Sequence, residues 1–300
     1  MPHEHERDER DEHEHEEGRP DVRPFLCLPY WTTPLTPGGR WDTGELRPLP
    51  SSVVSWLSPA ITAGPYRPGD PLEVAVRVRN SGDGNSPAVA TVAVYWADPT
   101  VGFAKPTFFG ATTVSVPPAR TTPLTVTTAT LRQTIPASAP DHICLLAVVH
   151  HPQDRAGSVC DPVGDRHWAQ RNLTAVNARP GAPAMIAFDL VNPTPDAGEF
   201  ALFVRQVDFG VAETVARALG LDHLSDARPV VTLHDREGRA LSDPQPELVH
   251  HLALEGHERV RVQLAIEPES ELTGGDAIVV EAVMTASDER PVGSLGFVVQ

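Results

Sequence analysis

The sequence predicts an all-β protein, two β-sandwiches in tandem behind a polar tail, on three observations. Apolar and polar residues alternate with a period of two: Leu72, Val74, Val76 and Val78 stand against Glu73, Arg77 and Arg79, and Val260, Val262, Leu264 and Ile266 against Arg259, Arg261 and Gln263. That is the pattern of a strand with one buried and one wet face. The runs recur at short intervals between turn segments such as Asn80-Ser-Gly-Asp-Gly-Asn-Ser-Pro87, as sandwich strands do. Finally, 31 prolines and the lack of a sustained 3.6-residue period leave little room for long helices.

In chain order, residues 1–24 alternate His with Glu and hold almost no apolar side chains. They cannot bury enough surface to offset chain entropy, so a disordered tail is expected. Residues 25–50 turn aromatic and proline-rich, which predicts an extended arm. Phe25, Tyr30, Trp31 and Trp41 are costly to leave in water, so they should either cover the first sandwich or insert into a neighbouring subunit. Within 51–178 the strands are expected at Val53–Leu57, Leu72–Asn80, Val89–Trp96, Gly110–Val116, Leu124–Leu131, His142–Val149 and Asn172–Asn177.

The Pro/Gly stretch Asn177-Ala-Arg-Pro-Gly-Ala-Pro183 reads as a join, so a second sandwich is expected over 179–300. Its strands fall at Met185–Val191, Phe200–Gln206, Val230–His234, Leu248–Leu254, Val260–Ile266, Ala277–Met284 and Gly293–Val299. Between the second and third of these, Val211, Val215, Ala218 and Leu219 take helical spacing, with Gly220 suited to a C-terminal cap. One short helix is expected at 211–219.

Composition narrows the function. The formal net charge is −16, of which residues 1–17 supply −7 through nine carboxylates against Arg7 and Arg10. The mildly acidic remainder lacks the basic face that nucleic-acid binding needs. The longest apolar runs, such as Ile143–Val149, are strand-length and far short of a membrane span. The opening residues carry neither a basic region nor an apolar stretch of the signal-peptide kind, which leads to a cytoplasmic expectation, with export as part of a released particle the alternative. Cys27, Cys144 and Cys160 are too few and too scattered for a disulfide framework and read as reduced thiols.

Several segments of the first sandwich carry a resemblance: Val54-Ser-Trp-Leu-Ser-Pro-Ala-Ile61, Tyr66-Arg-Pro-Gly-Asp-Pro71, Val76-Arg-Val-Arg-Asn-Ser-Gly82, Val92-Ala-Val-Tyr-Trp-Ala-Asp-Pro99 and Asp165-Arg-His-Trp-Ala-Gln-Arg-Asn-Leu173. Together, over about 125 residues, they resemble the bacterial immunoglobulin-like sandwiches called CARDB, cell-adhesion-related domains. The resemblance implies an immunoglobulin-like fold used for binding, spacing or particle building. Ala60 stands where related sequences often carry an acidic residue, so no cation role is carried over to that turn. The second half reads only as sandwich-like.

Candidate chemistry is sparse. His3, His5, His13 and His15 form two His-x-His pairs among glutamates, able to hold a divalent metal loosely but without fixed geometry. His142, Cys144, His150, His151, Cys160 and His167 fall close together, and His142 and Cys144 share a strand face. No pair has the tight spacing of a zinc site, and Cys144 sits in an apolar run where cysteine serves as a small core residue. Asp83, Asn85 and Asp98 suit turns as well as Ca²⁺. Gly-x-Ser-x-Gly, His-Glu-x-x-His and phosphate-loop motifs are missing from the sequence.

These features lead to a non-enzymatic structural or interaction protein without a cofactor, a component of a larger bacterial assembly such as a phage-tail-like or shell-associated particle. Its partners would be other protein subunits, reached through sandwich edges, end loops and the arm. The alternatives are a carbohydrate or metal binder and the accessory domains of a hydrolase system. Trp96 alternates onto the face of Val92 and Val94 and reads as core. Trp168, in the polar run Asp165–Arg171, is the better surface platform.

Overall fold

The computed structural model describes residues 23–32, 41–120, 125–172, 175–273 and 275–300. Eleven strands come first: β1 (Leu26–Cys27), β2 (Ile61–Ala63), β3 (Pro71–Asn80), β4 (Ala88–Ala97), β5 (Thr100–Val101), β6 (Thr107–Val116), β7 (Thr125–Thr127), β8 (Leu131–Thr134), β9 (Cys144–His150), β10 (Trp168–Asn172) and β11 (Ala175–Val176). Then follow β12 (Ala184–Val191), β13 (Gly198–Gln206), the helix α1 (Phe209–Leu219), β14 (His223–Leu224), β15 (Pro229–His234), β16 (Leu248–Leu254), β17 (Arg259–Pro268), β18 (Asp276–Ala286) and β19 (Pro291–Val299). The fold is all-β, as the sequence predicts.

Among the described residues four sheets are formed. β3 pairs with β1, β2, β7 and β8, and faces a sheet of order β10-β9-β4-β6. A six-stranded sheet, β11-β19-β18-β13-β16 with β14 beside β18, faces a sheet of order β15-β17-β12-β5. Alternation sets both interiors. Leu72, Val74, Val76 and Val78 meet Val92, Val94, Leu145 and Val149 in one core, and Ile186, Phe188, Leu264, Val280 and Phe297 meet in the other.

The two sandwiches are not separated by a flexible join. β9 is buried on both faces: Leu145, Ala147 and Val149 enter the first core, whereas Cys144, Leu146 and Val148 belong to the same apolar cluster as Phe188, Leu264 and Phe297 of the second sandwich. β5, which follows β4, pairs in parallel with β12 through Thr100 and Val101. Gln170 Nε2 donates to the Ser294 carbonyl at 2.6 Å, and the Ser55 and Ser294 hydroxyls lie 2.7 Å apart. The uninterrupted apolar run Ile143–Val149 is thus a strand enclosed by two cores, not one.

Several local expectations change. Residues 53–57 form turns, with a single bridge from Leu57 to Arg171, because Val54, Trp56 and Leu57 turn to the outer face of β18 and β19 under α1 while Val53 enters the first core. The expected strand Leu124–Leu131 is split into β7 and β8. Between them Thr128 Oγ1 accepts the Val76 N–H (3.0 Å) and the Thr128 N–H donates to the Val76 carbonyl (2.9 Å), which interrupts the ladder. The last strand of the first sandwich begins at Trp168, inside the run expected to be a polar surface; it pairs with β9 from Trp168↔Val148 to Asn172↔Cys144.

α1 begins two residues earlier than predicted and ends as predicted, with Gly220 in the left-handed region (φ 69°) and its N–H on the Ala216 carbonyl. Val215 is its most buried residue, packed with Ala277, Val279 and Val298 on the outer face of the six-stranded sheet.

A candidate groove and the clasp beside it

The segment from His150 to Trp168 is held on both sides, and the two sides hold different things. On one side it grips the N-terminal arm. β1 pairs with β3, Leu26 with Asn80 and Cys27 with Arg79, and the Phe25 N–H donates to Asn80 Oδ1 at 3.0 Å. The Leu26 N–H donates to Asp154 Oδ2 at 2.6 Å, the Leu28 N–H to the Arg166 carbonyl at 2.9 Å, and Arg166 Nε to the Leu26 carbonyl at 3.2 Å. The Arg166 guanidinium also pairs with Asp154 and stands 3.9 Å over the Phe25 ring.

His167 completes this clasp. Its Nδ1 lies 2.7 Å from Asp165 Oδ1 and its Nε2 3.1 Å from Asp154 Oδ1, in a site where the residue is 3% exposed. Burial works against the charged imidazole, but the two carboxylates outweigh it and hold its pKa above the ordinary value. Burial would likewise raise both carboxyls, yet hydrogen bonds from His167, joined by the Leu26 N–H at Asp154 and the His167 and Gly157 N–H groups at Asp165, hold both below the usual carboxylate range. An imidazole facing a carboxylate at each nitrogen donates to both only as the imidazolium.

The arm residues expected to contact a partner are therefore divided. Tyr30 is fully buried in its own sandwich, its hydroxyl donating to the Ser55 carbonyl (3.0 Å) and accepting the Gln170 N–H (3.1 Å), so it offers a partner nothing. Phe25 is half-buried under Arg166. Trp31 and Trp41 stay near the surface as a tilted pair, centroids 6.2 Å apart, with Arg77 4.6 Å over Trp41. Of the two expectations for the arm, residues 25–30 follow the first and cover the sandwich they belong to.

On its other side the same segment lines a groove of 720 Å³ between the sandwiches. Val148, Phe103, Cys160 and Trp168 form its buried floor; Tyr95, Pro106, Pro193 and Pro195 its walls; His150, Ser158 and His257 its exposed rim. Trp168, expected as a surface platform, is 7% exposed, its indole N–H donating to the Gly157 carbonyl at 3.3 Å. The aromatic row continues outward, Trp168 to Tyr95 at 6.2 Å and Tyr95 to Phe108 at 5.7 Å, and Phe108 is 56% exposed. None of the fifteen lining residues is an Asp, Glu, Lys or Arg.

The metal candidates find other uses. Among the described residues no group of three or more His, Cys, Asp or Glu side chains is placed to hold a metal ion. Cys144 donates its thiol to Asn172 Oδ1 (3.2 Å), and His142 stands edge-on to Phe297 at 6.4 Å with neither ring nitrogen hydrogen-bonded among the described residues. Burial pushes the His142 imidazole down to about 4 and the Cys144 thiol up to about 12. His3, His5, His13 and His15 lie outside the described residues. His150 and Cys160 belong to the groove, and His167 to the clasp.

No family model and no curated protein matches the chain. Among solved structures it is similar to the CupB6 tip adhesin from Pseudomonas aeruginosa (9% identity, TM-score 0.26, covering 79% of this chain and 95% of that one). It is also similar to the collagen adhesin CNA from S. aureus (8%, TM-score 0.23, 80% and 91%) and to red sea bream transglutaminase (15%, TM-score 0.21, 80% and 31%). Likenesses of this size assign neither a family nor an activity. No described helix is long and apolar enough to cross a membrane.

The sequence shows the members of the clasp as a loose series of His and Asp residues but not their use. Their partners, Leu26 and Phe25, lie more than a hundred residues away, and no local spacing encodes that contact.

Proposed function

We propose that the chain is a non-enzymatic interaction protein, in which residues 51–178 and 179–300 act as one rigid two-sandwich unit that docks other protein subunits of a larger bacterial assembly. The observation that carries this reading is the apolar cluster running without a break from Cys144, Leu146 and Val148 into Phe188, Leu264 and Phe297. A joint built like a core holds the surfaces on either side of it in fixed register, which suits a part that must position partners. The groups best suited to chemistry support the same reading by their employment. Three thiols are buried, His167 is committed to two carboxylates, and His142 is buried edge-on to Phe297.

The test is to isolate the C-terminally tagged protein gently from its native cells, size the material and identify what accompanies it. Recovery in a particle of defined stoichiometry is expected, with Trp31, Trp41 and the groove rim protected from oxidative labelling. Recovery as a bare monomer, with these positions labelled as in the purified protein, would overturn the proposal.

A further inference from the structure

We infer that the groove between the sandwiches receives a neutral, proline-rich segment of a partner protein in the extended polyproline conformation. This rests on the interaction reading above and names the partner's chemistry.

Three properties of the groove select that chemistry. The lining holds no Asp, Glu, Lys or Arg, so no fixed carboxylate or guanidinium pairs with a charged ligand there and the groove favours a neutral one. Its accessible rings are the half-buried Tyr95 and the prolines Pro106, Pro193 and Pro195, set over the buried rings of Trp168, 6.2 Å from Tyr95, and Phe103. Rings of this kind pack against prolyl rings, and a polyproline helix arrives already ordered, so little entropy is lost on docking. The side-chain polar groups are few and sit at the margin: the Tyr95 hydroxyl, Ser158 and the imidazoles of His150 and His257. A polyproline segment, which has no N–H groups of its own and presents spaced carbonyls, asks for a few marginal donors.

The same inventory argues against a glycan. Sugar hydroxyls come in adjacent pairs, each a donor and an acceptor, and the planar groups that read such pairs, carboxylate, amide and guanidinium, are missing from the lining. The indole N–H of Trp168 is already committed to the Gly157 carbonyl.

The experiment titrates the full-length ¹⁵N-labelled protein with a blocked decaproline peptide and, separately, with cellohexaose, following amide and indole N–H resonances. Decaproline is expected to shift Tyr95, His150, His257 and the Trp168 indole signal together. Tyr95→Ala should weaken the interaction about tenfold, the size of one aromatic contact. His257→Glu, a rim change with no packing role, should weaken it in a protein whose remaining spectrum is unchanged. Shifts at these residues with cellohexaose but not decaproline, or with neither, would overturn the inference. The interaction reading is judged separately, since recovery of a stoichiometric particle does not depend on which surface the partner uses.

Discussion

The indole of Trp56 lies flat against Gly296 of β19, so close that a Cβ at position 296 would fall 2.2 Å from the ring carbons Cδ2 and Cε3. The two residues belong to different sandwiches, and the glycine is what lets them meet. Gly296→Ala should therefore destabilise the whole protein by about 1–3 kcal/mol, the usual cost of overpacking. At about 2–4 °C per kcal/mol, thermal unfolding would show it directly. Adding Trp56→Leu should recover part of the loss, and that non-additivity identifies the contact as the cause.

The clasp should be pH-dependent in a definite direction. His167 titrates above its ordinary value when folded, so its stabilisation is fully present below about pH 6.5 and is lost as pH rises through the raised value. Asp154 and Asp165 are held low, so their contribution is present above about pH 4 and is lost as pH falls through the lowered values. The window between belongs to the intact ion cluster. His167→Gln should lower stability most within that window and flatten the decline on the alkaline side, as read from melting temperature against pH. Chymotrypsin cleavage after Phe25 should become faster in the same variant.

His142 carries the opposite sign. Pushed down to about 4 by burial, it folds neutral, so the stability it allows above about pH 6.5 is lost as pH falls towards 4, on the order of 3 kcal/mol when complete. His142→Leu should leave stability at pH 7 unchanged or higher, because neither ring nitrogen gives up a hydrogen bond to a described residue. It should also make the fall between pH 6.5 and 4 shallower. Urea midpoints at a series of pH values would decide.

The three thiols should be silent in the native state. Cys27 and Cys144 are pushed up to about 12 and Cys160 also lies well above its ordinary value, in each case first by burial. Since only the thiolate attacks, an aromatic disulfide reagent should label none of them at neutral pH until denaturant is added, when three equivalents should react. Prompt labelling of one thiol in the folded protein would contradict the arrangement around it.

What the sequence made legible was whatever is repeated locally. Alternation placed β3, β4 and β17 almost to the residue, and Gly220 marked the end of α1, because period and capping are properties of neighbouring residues. Trp168 was misplaced because its burial comes from segments remote in the chain, so a polar neighbourhood gave no sign of it. Val53–Leu57 looked like a strand because its residues are apolar. They are apolar in order to fill the space under α1, a demand set by tertiary packing rather than by pleat. The groove was out of reach on the same account, since its lining comes from β4, β9, β10 and the segments after β5, β9, β12 and β16.

The enclosed strand β9 also bears on how such a protein can evolve. Sandwich modules spread by recombination when each carries its own finished surface and a linker that can be cut and rejoined anywhere. Here the face bearing Cys144, Leu146 and Val148 is an interior surface only while its neighbour is present. A gene fragment ending near the Pro/Gly stretch would encode a half with an open, greasy wall, prone to clump rather than to serve as a spare part. Inheritance would then act on the pair as a single piece, and substitutions on the two sides of the joint should drift in step.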